Sequence, residues 1–167
     1  MGVDIYMFIV KNKTIIKNNI YTGRNNEWFN NISDRTHNNI YNDLPIIYGW
    51  SPATPEILKT RYSRKKGYYD FYHFKVKYFI EWFERFKPDT DAGWVTTYEK
   101  WLYETKGIIP DYLHHQLSDI NDEVWFCEKD WQFIEVKNNY DCSRWLYDYL
   151  IENKIDLNAD VTYCFNC

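Results

Sequence analysis

Two acids and a histidine are the residues of this chain whose types and positions best suit acid–base chemistry. Asp4 interrupts an apolar, strand-like run, "VDIYMFIV" at 3–10, where partial burial would tune a carboxylate for general base catalysis or metal binding. Asp70 and His73 are three residues apart in "DFYHF". On a helix this spacing lets the acid orient the imidazole as a base. If Glu99 shared their pocket, Asp4 and His73 would indicate a small hydrolase of nucleotides or nucleic acids.

Each of these residues also has a structural explanation that needs no catalysis. Asp4 fits a solvated acid on an edge strand, or a carboxylate that accepts hydrogen bonds from a turn near Arg24. Asp70 and His73 fit an acid at a helix start and a histidine at the boundary of the core. No serine or cysteine stands in a recognisable nucleophile motif, so the enzyme is an alternative and not the leading hypothesis.

Four cysteines raise the question of a metal site. Cys164 and Cys167 in "CFNC" have the spacing of one half of a zinc knuckle. Cys127 and Cys142 would have to supply the other half, and they do not form a second close pair. We expect four free thiols and no cofactor, with zinc, or a disulfide or redox role, as alternatives.

The best candidate for a binding site is a local reversal of charge. Residues 59–77, "KTRYSRKKGYYDFYHFKVK", hold seven lysines and arginines against one acid, in a chain whose net charge is −4. Lysine and arginine neutralise phosphates, and the interleaved aromatic rings can stack on bases. The alternative is a solvated helix end followed by a core helix. The residues that we expect to contact a ligand are Arg24, Arg61, Arg64, Lys65, Tyr68 and Tyr69.

Composition limits the class of protein. Aromatic residues make up 20% of the 167 residues, so we expect an aromatic core with many Tyr and Trp side chains at its boundary. The net charge argues against a protein that coats DNA, and no glycine-rich phosphate loop occurs. No apolar run reaches the roughly 18 residues of a membrane span, and the start lacks the features of a cleavable leader. We therefore expect a cytoplasmic protein without a membrane partner.

The elements that must position these residues mix strands and helices without regular βαβ alternation. Apolar alternation over 3–10, a turn at "KNK" and a returning strand in "TIIKNNIY" predict an N-terminal hairpin. Two further strands are predicted at 123–128 and 131–136, and Thr96 with Glu99 has the pattern of a helix capping box. The longer predicted helices lie within 54–66, 71–86, 96–107 and 141–154.

This order predicts an α+β fold, with a mainly antiparallel sheet and about four to five helices. We expect one domain over residues 1–167, since the length suits a single core. The final "VTYCF" at 161–165 leaves two alternatives open. It is either a closing strand or part of a loosely attached tail over 158–167.

The first residues and three later segments resemble a group of hypothetical proteins from phages and large viruses. Members commonly begin MGCDIH followed by an alternating apolar strand, and this chain begins "MGVDIYMFIV". The segments "GRNNEWF", "LPIIYGWSPATPE" and "GWVTTYEKWL" are similar to the group's R-N-Y-x-L-F, G-L-P…S-P/S-x-E and W-L-T-x-E-E-L stretches, in the same order. Val3 and Tyr6 replace the group's Cys and His, so an imidazole at position 6 is absent. The resemblance implies a virus- or phage-encoded accessory protein without an assigned activity.

These observations favour a non-catalytic accessory protein, in the host cytoplasm if it is viral. It would bind a nucleotide, a nucleic acid or a host protein through an aromatic and basic surface next to residues 59–69. The first alternative is the hydrolase, using Asp4 with His73 or a metal. The second is a structural or virion-associated protein without a small ligand.

Overall fold

The structure is a computed structural model that describes residues 3–24, 29, 32, 40–115, 131–137 and 142–166. The chain divides into two compact units, Met1–Lys87 with Cys142–Cys167, and Pro88–Asp141. Helices accompany antiparallel strands, and the described part of the chain opens with a hairpin, so the predicted α+β class is confirmed. That the whole chain is one domain stays a prediction.

A five-stranded antiparallel sheet with the order β2-β1-β7-β4-β3 forms the first unit. Its strands are β1 (Asp4–Lys11), β2 (Thr14–Gly23), β3 (Ile47–Tyr48), β4 (Tyr68–Lys75) and β7 (Asp160–Asn166). The first two strands are neighbours in the chain and in the sheet. The last strand, by contrast, lies between the first and the fourth, so the middle of the sheet depends on pairing between distant parts of the chain.

The predicted N-terminal hairpin is confirmed as β1 and β2. Asn12 and Lys13 connect them with positive φ values of 50° and 61°, as a two-residue type I′ turn requires. Alternate residues of β1 enter two different cores on opposite sides of the sheet. Both faces of β1 are therefore covered, which explains why its sequence is apolar at nearly every position.

The C-terminal residues supply the central strand of the sheet. β7 pairs with β1 on one side and with β4 on the other. Val161, Tyr163 and Phe165 are buried in the main core, and Cys164 is buried in a smaller core on the opposite face. Of the two alternatives for this segment, the structure has the closing strand.

One prediction is wrong in its first half: the helix expected over 71–86 begins only at Val76. β4 occupies Tyr68–Lys75, and α2 follows directly at Val76–Phe86. Aromatic side chains recur along "FYHF" closely enough to suit a helix, but they also suit a strand buried on both faces. Pairing with β7 decides the outcome. Asp70, with a φ of 48°, lies in an irregular stretch of this pairing between Tyr69 and Tyr72.

Two helices build the main core on one face of the sheet. α2 and the later helix Ser143–Glu152 pack against each other, and both contribute to the core that contains Tyr163. Aromatic rings stack across these elements: Phe74 and Phe79 have centroids 5.4 Å apart, and Phe83 and Tyr147 have centroids 4.4 Å apart. The aromatic core expected from composition is present.

The segment 49–62 covers the opposite face of the sheet. It contains α1 (Glu56–Arg61), whose N-cap is Pro55. The pattern Thr54-Pro55 predicts a cap at Thr54 and a helix that begins at Pro55, and the observed start lies one residue later. The smaller core between this segment and the sheet consists of Phe8, Val10, Leu58, Tyr62, Phe71 and Cys164.

The second unit is a two-stranded sheet with one described helix. β5 (Thr90–Thr96) pairs with β6 (Trp131–Lys137), and α3 (Thr97–Lys106) follows β5 directly. The strand predicted at 123–128 lies outside the described residues. The helix Ser143–Glu152 of the first unit is α4 in chain order. Among the four α-helices of the described residues, none has the length and apolar character needed to cross a membrane.

Removing residues 158–167 is expected to unfold the first unit. β1 and β4 would lose their shared partner, and the main core would lose the buried rings of Tyr163 and Phe165. The measurement is urea unfolding followed by circular dichroism, in which the truncated chain should show no cooperative transition from this unit. As a control, Leu157→Ala changes an exposed side chain and should alter stability by no more than about 0.5 kcal/mol. A truncated chain that unfolds like the full chain would contradict a central role for β7.

Burial raises the pKa of the Cys164 thiol from 9.0 to about 12. Between these two values the unfolded chain gives up the thiol proton while the folded chain retains it, so the free energy of unfolding falls as pH rises. In Cys164→Ala this contribution is absent. The pH dependence of its unfolding free energy should therefore be shallower by up to about 1.4 kcal/mol per pH unit in this window.

The check is a series of urea titrations of the wild type and Cys164→Ala between pH 9.0 and about 12. Most other ionisable groups are common to both proteins, and Tyr6 and Tyr62 differ only by the small part of their raised pKa that Cys164 causes. A small constant offset is expected from the lost side-chain packing. Two parallel lines would show that the Cys164 thiol ionises as easily in the folded protein as in the unfolded chain.

Candidate functional site

Three tyrosines meet at one end of the five-stranded sheet. The ring of Tyr6 lies 5.4 Å from that of Tyr62 and 5.6 Å from that of Tyr68, and the rings of Tyr62 and Tyr68 lie 4.9 Å apart. Tyr6 comes from β1, Tyr62 follows α1, and Tyr68 begins β4. Tyr62 is buried, whereas Tyr6 and Tyr68 are half-buried. The cluster therefore joins the smaller core to the surface.

A short turn brings the basic segment to this cluster. The 3₁₀ turn Arg64–Lys66 ends at Gly67, whose φ of 87° lies in the left-handed region. A Cβ at Gly67 would also lie 3.3 Å from Oδ1 of Asn166. Glycine meets both constraints at this position, because it tolerates positive φ and lets β4 begin close to β7.

One cation of this segment, Arg61, contacts the tyrosine cluster directly, and three more follow in the next five residues. The Arg61 guanidinium lies 5.6 Å from the centroid of the Tyr62 ring, and Arg64 Nη2 donates a hydrogen bond of 2.8 Å to the Tyr48 hydroxyl. Lys65 and Lys66 are exposed, and no acid in the described part of the chain pairs with either. We call Tyr6, Tyr62, Tyr68, Arg61, Arg64, Lys65 and Lys66 the tyrosine–arginine surface.

Two tyrosines of this surface, Tyr6 and Tyr62, have pKa values raised above the ordinary value and are neutral at physiological pH. Burial raises the pKa of Tyr6, and the neighbouring Tyr68 and the Asp4 carboxylate raise it further. Burial likewise raises the pKa of Tyr62, while Arg61 acts in the opposite direction. Neutral phenols can donate hydrogen bonds and add no negative charge. The surface therefore presents donors and cations, which is the chemistry that binds an anion.

Asp4 lies at the same end of the sheet and pairs with Arg24. Arg24 Nε donates to Asp4 Oδ1 at 2.8 Å; the Arg24 side chain is largely exposed and the Asp4 side chain is half-buried. This is the structural alternative predicted for Asp4, a carboxylate held by the turn region near Arg24. The pair leaves the charge of Arg24 compensated, so Arg24 contributes less to anion binding than the cations of residues 61–66.

The expected ligand contacts divide between the two faces of the sheet. Tyr68 contacts Tyr62, whose ring lies beside Arg61. Arg64 bonds instead to Tyr48, whose ring packs on Tyr72 of the main core, and Lys65 is its exposed neighbour in the chain. Tyr69 packs on the opposite face, where its ring stacks on Phe165 with centroids 6.1 Å apart. Consecutive residues of a strand point to opposite faces, so Tyr68 and Tyr69 do not form one surface.

Tyr6, Tyr62 and Tyr48 are not among the ligand contacts that the sequence predicts. In the sequence, Tyr6 belongs to an apolar strand and Tyr62 to the basic segment. Their convergence requires β7 to pair with both β1 and β4, and Tyr48 is added by β3 beside β4. The local sequence contains no signal for these long-range pairings.

The candidate catalytic residues do not form an acid–base pair. Asp4 lies opposite Asn166 and His73 lies opposite Thr162. Four residues along β7 separate them by about 13 Å, before the spacing between strands is added. The His73 ring is buried, and its Nδ1 donates to the carbonyl oxygen of Gly49 at 2.9 Å.

The other two acids considered for catalysis have structural positions. Asp70 lies in an irregular stretch of β4 and not on a helix with His73. In the second unit, Glu99 completes the predicted capping box of α3: its Oε1 accepts from the Thr96 backbone N–H at 3.1 Å, and its own N–H donates to Thr96 Oγ1 at 3.1 Å. A carboxylate held in this way orders a helix start.

Two of the four candidate metal ligands are described. Cys164 is buried in the smaller core, and Cys142 is half-buried at the N-cap of α4; both are thiols. Cys127 and Cys167 lie outside the described residues. Within the described residues, no group of three or more His, Cys, Asp or Glu side chains is arranged to hold a metal ion. Zinc stays an alternative from the sequence.

A cavity of about 170 Å³ lies on the outer side of α2, between that helix and the turn at residues 43–45. Tyr78, Trp82 and Phe86 give it an aromatic wall, and Glu81 and Arg85 contribute charges of opposite sign. The Arg85 guanidinium already lies over the Phe86 ring, 4.9 Å from its centroid. This cavity lacks the excess of cations that distinguishes the tyrosine–arginine surface.

Comparisons with protein-family models, curated proteins and solved structures find no match to this chain. The resemblance to the phage and large-virus group therefore stays a prediction. The geometry of the described residues is the basis for the assignment of function.

Proposed function

We propose that this protein binds single-stranded nucleic acid through the tyrosine–arginine surface. The observation that carries the proposal is the contact among the rings of Tyr6, Tyr62 and Tyr68, next to cations for which no described residue is an acidic partner. Aromatic rings beside a basic track are the recurring elements of single-strand binding sites. Rings stack on bases of any sequence, and the cations neutralise the phosphates between them.

A polymer suits this surface better than a free nucleotide. Arg61, Arg64, Lys65 and Lys66 are spread along six residues of exposed chain. Such a row matches a ligand that repeats its phosphates, because each cation can meet a different phosphate. A free nucleotide is usually held by converging groups, for example backbone N–H groups of a glycine-rich loop, and residues 59–77 contain a single glycine.

The host-protein partner and the hydrolase have weaker support. Exposed arginines and lysines would also attract an acidic protein, but the ring cluster beside them adds a feature that bases use and acidic side chains do not. The hydrolase that pairs Asp4 with His73 is opposed by strand register, because the two residues lie opposite β7 positions about 13 Å apart. The form that uses Asp4 with a metal stays a prediction. We propose that the setting is a virus- or phage-encoded accessory role in the host cytoplasm, supported only by the resemblance of the first residues and three later segments.

Reversing three charges is expected to abolish binding. The variant Arg61→Glu/Arg64→Glu/Lys65→Glu places acids where phosphates would bind. The measurement is fluorescence anisotropy with a labelled oligothymidylate of about 16 nucleotides, the upper site size of a single OB-fold-type domain. Three lost phosphate contacts should reduce the slope of log affinity against log salt by about 2, at about 0.7 for each contact.

A matched control carries the same change in net charge elsewhere. Lys13→Glu/Lys77→Glu/Lys154→Glu alters three exposed lysines outside the tyrosine–arginine surface. This variant should retain most of the affinity and nearly the full salt slope. If both variants lose affinity equally, binding depends on overall charge and the proposed surface is not the site.

Stacking on Tyr68 gives a second expectation. Tyr68→Ala should weaken oligothymidylate binding by about 1–3 kcal/mol, the range for one base–aromatic stack, whereas Tyr68→Phe keeps the ring and should bind nearly as well as the wild type. Tyr69→Ala is the neighbouring control, because that ring lies on the other face of the sheet. Equal losses in Tyr68→Ala and Tyr69→Ala would contradict a one-sided surface.

A further inference from the structure

We infer that Ser63 is a phosphorylation site, and that a phosphate on Ser63 prevents the tyrosine–arginine surface from binding nucleic acid. This inference rests on the proposed function, since it concerns the regulation of the same surface. The Ser63 hydroxyl makes no capping hydrogen bond to the turn that follows it. That hydroxyl lies in the middle of the strongest positive charge of the chain.

The Ser63 hydroxyl is available for modification. Ser63 precedes the 3₁₀ turn Arg64–Lys66 with an extended backbone, φ −104° and ψ 158°, and its side chain makes no capping hydrogen bond. The other two serines of the described residues are buried. Ser51 is also engaged, because its Oγ donates to Asp160 at 2.6 Å. Among these three serines, only Ser63 combines an extended backbone with access to solvent.

The residues around Ser63 select a particular class of enzyme. Arg61, Arg64, Lys65 and Lys66 lie within three residues of it, and all four are exposed. The nearest acids in the chain, Glu56 and Asp70, are each seven residues away. A protein kinase with an acidic substrate groove would recognise this segment by charge complementarity. The partner is therefore a serine kinase that prefers basic residues on both sides of its target.

The modification is an ordinary phosphoryl transfer. The bond between the γ-phosphorus of ATP and its bridging oxygen breaks, and a bond forms between that phosphorus and Ser63 Oγ. The hydroxyl proton passes to the catalytic aspartate of the kinase, and ADP leaves. The segment around Ser63 must loosen briefly to enter the kinase, and a single 3₁₀ turn at the surface is among the least costly structures to open.

A phosphate at this position competes with the ligand for the same cations. It brings about −1.5 to −2 charges at pH 7 and three acceptor oxygens. Arg61 is two residues before Ser63 and Arg64 is directly after it, so both can pair with the new group. About half of the four positive charges of Arg61, Arg64, Lys65 and Lys66 is then neutralised from within the protein. The rings of Tyr6 and Tyr68 remain, but the phosphates of a nucleic acid lose their partners.

The test compares the full-length protein with phosphoserine inserted at position 63 by genetic-code expansion, the unmodified protein and Ser63→Ala. The probe is the labelled oligothymidylate. We expect the phosphoserine protein to bind at least tenfold more weakly than the unmodified protein, with a salt slope lower by about 1.4, from two charges at about 0.7 each. Ser63→Ala should bind like the unmodified protein.

A second arm asks whether a kinase reaches Ser63 in the folded chain. Unmodified protein and Ser63→Ala are incubated with ATP and a kinase selective for basic flanks, and the phosphate is located by peptide mass spectrometry. Phosphate on Ser63, absent from Ser63→Ala, supports the inference. Folded protein that stays unmodified at Ser63, or a phosphoserine protein that binds as tightly as the unmodified one, overturns it.

The two arms separate this inference from the proposed function. If the unmodified protein does not bind oligothymidylate, the proposed function fails, and the inhibitory effect of Ser63 fails with it. The peptide map still decides on its own whether Ser63 is a kinase acceptor. If the unmodified protein binds and phosphoserine does not weaken binding, only the inference about Ser63 fails.

Discussion

The pairing of β7 with both β1 and β4 is the constraint on which the first unit depends. These three strands come from the beginning, the middle and the end of the chain, and they pair only after long loops have closed. Such closure costs chain entropy, which burial of β7 between two cores must offset. Once β7 is in place, its register fixes which residues of β1 and β4 lie side by side. Tyr6 and Tyr68 become neighbours for this reason, although 61 positions separate them in the sequence.

The aromatic content follows from a sheet that is covered on both faces. The main core uses stacked Phe and Tyr rings between the sheet and two helices, and the smaller core uses Phe8, Tyr62 and Phe71 beneath the segment 49–62. A tyrosine at the margin of such a core can bury its ring and keep its hydroxyl near water. Tyr6 and Tyr68 occupy this kind of position. The surface proposed to bind bases is therefore the exposed margin of the smaller core, and packing orders its rings before any ligand arrives.

Local patterns in the sequence predicted elements well and their assembly poorly. The hairpin turn at Asn12 and Lys13 and the capping box at Thr96 follow from interactions within a few residues, so the sequence contains the whole signal. The boundary between β4 and α2 does not follow from local interactions. The segment "FYHF" suits either conformation, and only pairing with β7 selects the strand. The same limit applies to the site. The composition of the sequence alone indicates the basic segment. The placement of Tyr68 and Tyr69 on opposite faces of the sheet, and the contacts of Tyr68 with Tyr6 and Tyr62, depend on strand register.

The negative net charge of the chain makes any attraction of a nucleic acid depend on the basic segment. A protein with a net charge of −4 gains no attraction for a nucleic acid from its overall charge, so binding depends on local groups of cations such as the four in residues 61–66. At physiological ionic strength, charges farther than about 8 Å away are largely screened. A single-stranded nucleic acid at the tyrosine–arginine surface would therefore interact mainly with the local cations and with the rings beside them. For the proposed binding, so few contacts would give a moderate affinity that is sensitive to the gain or loss of one or two charges. A surface of this size is accordingly one that a single modification can control.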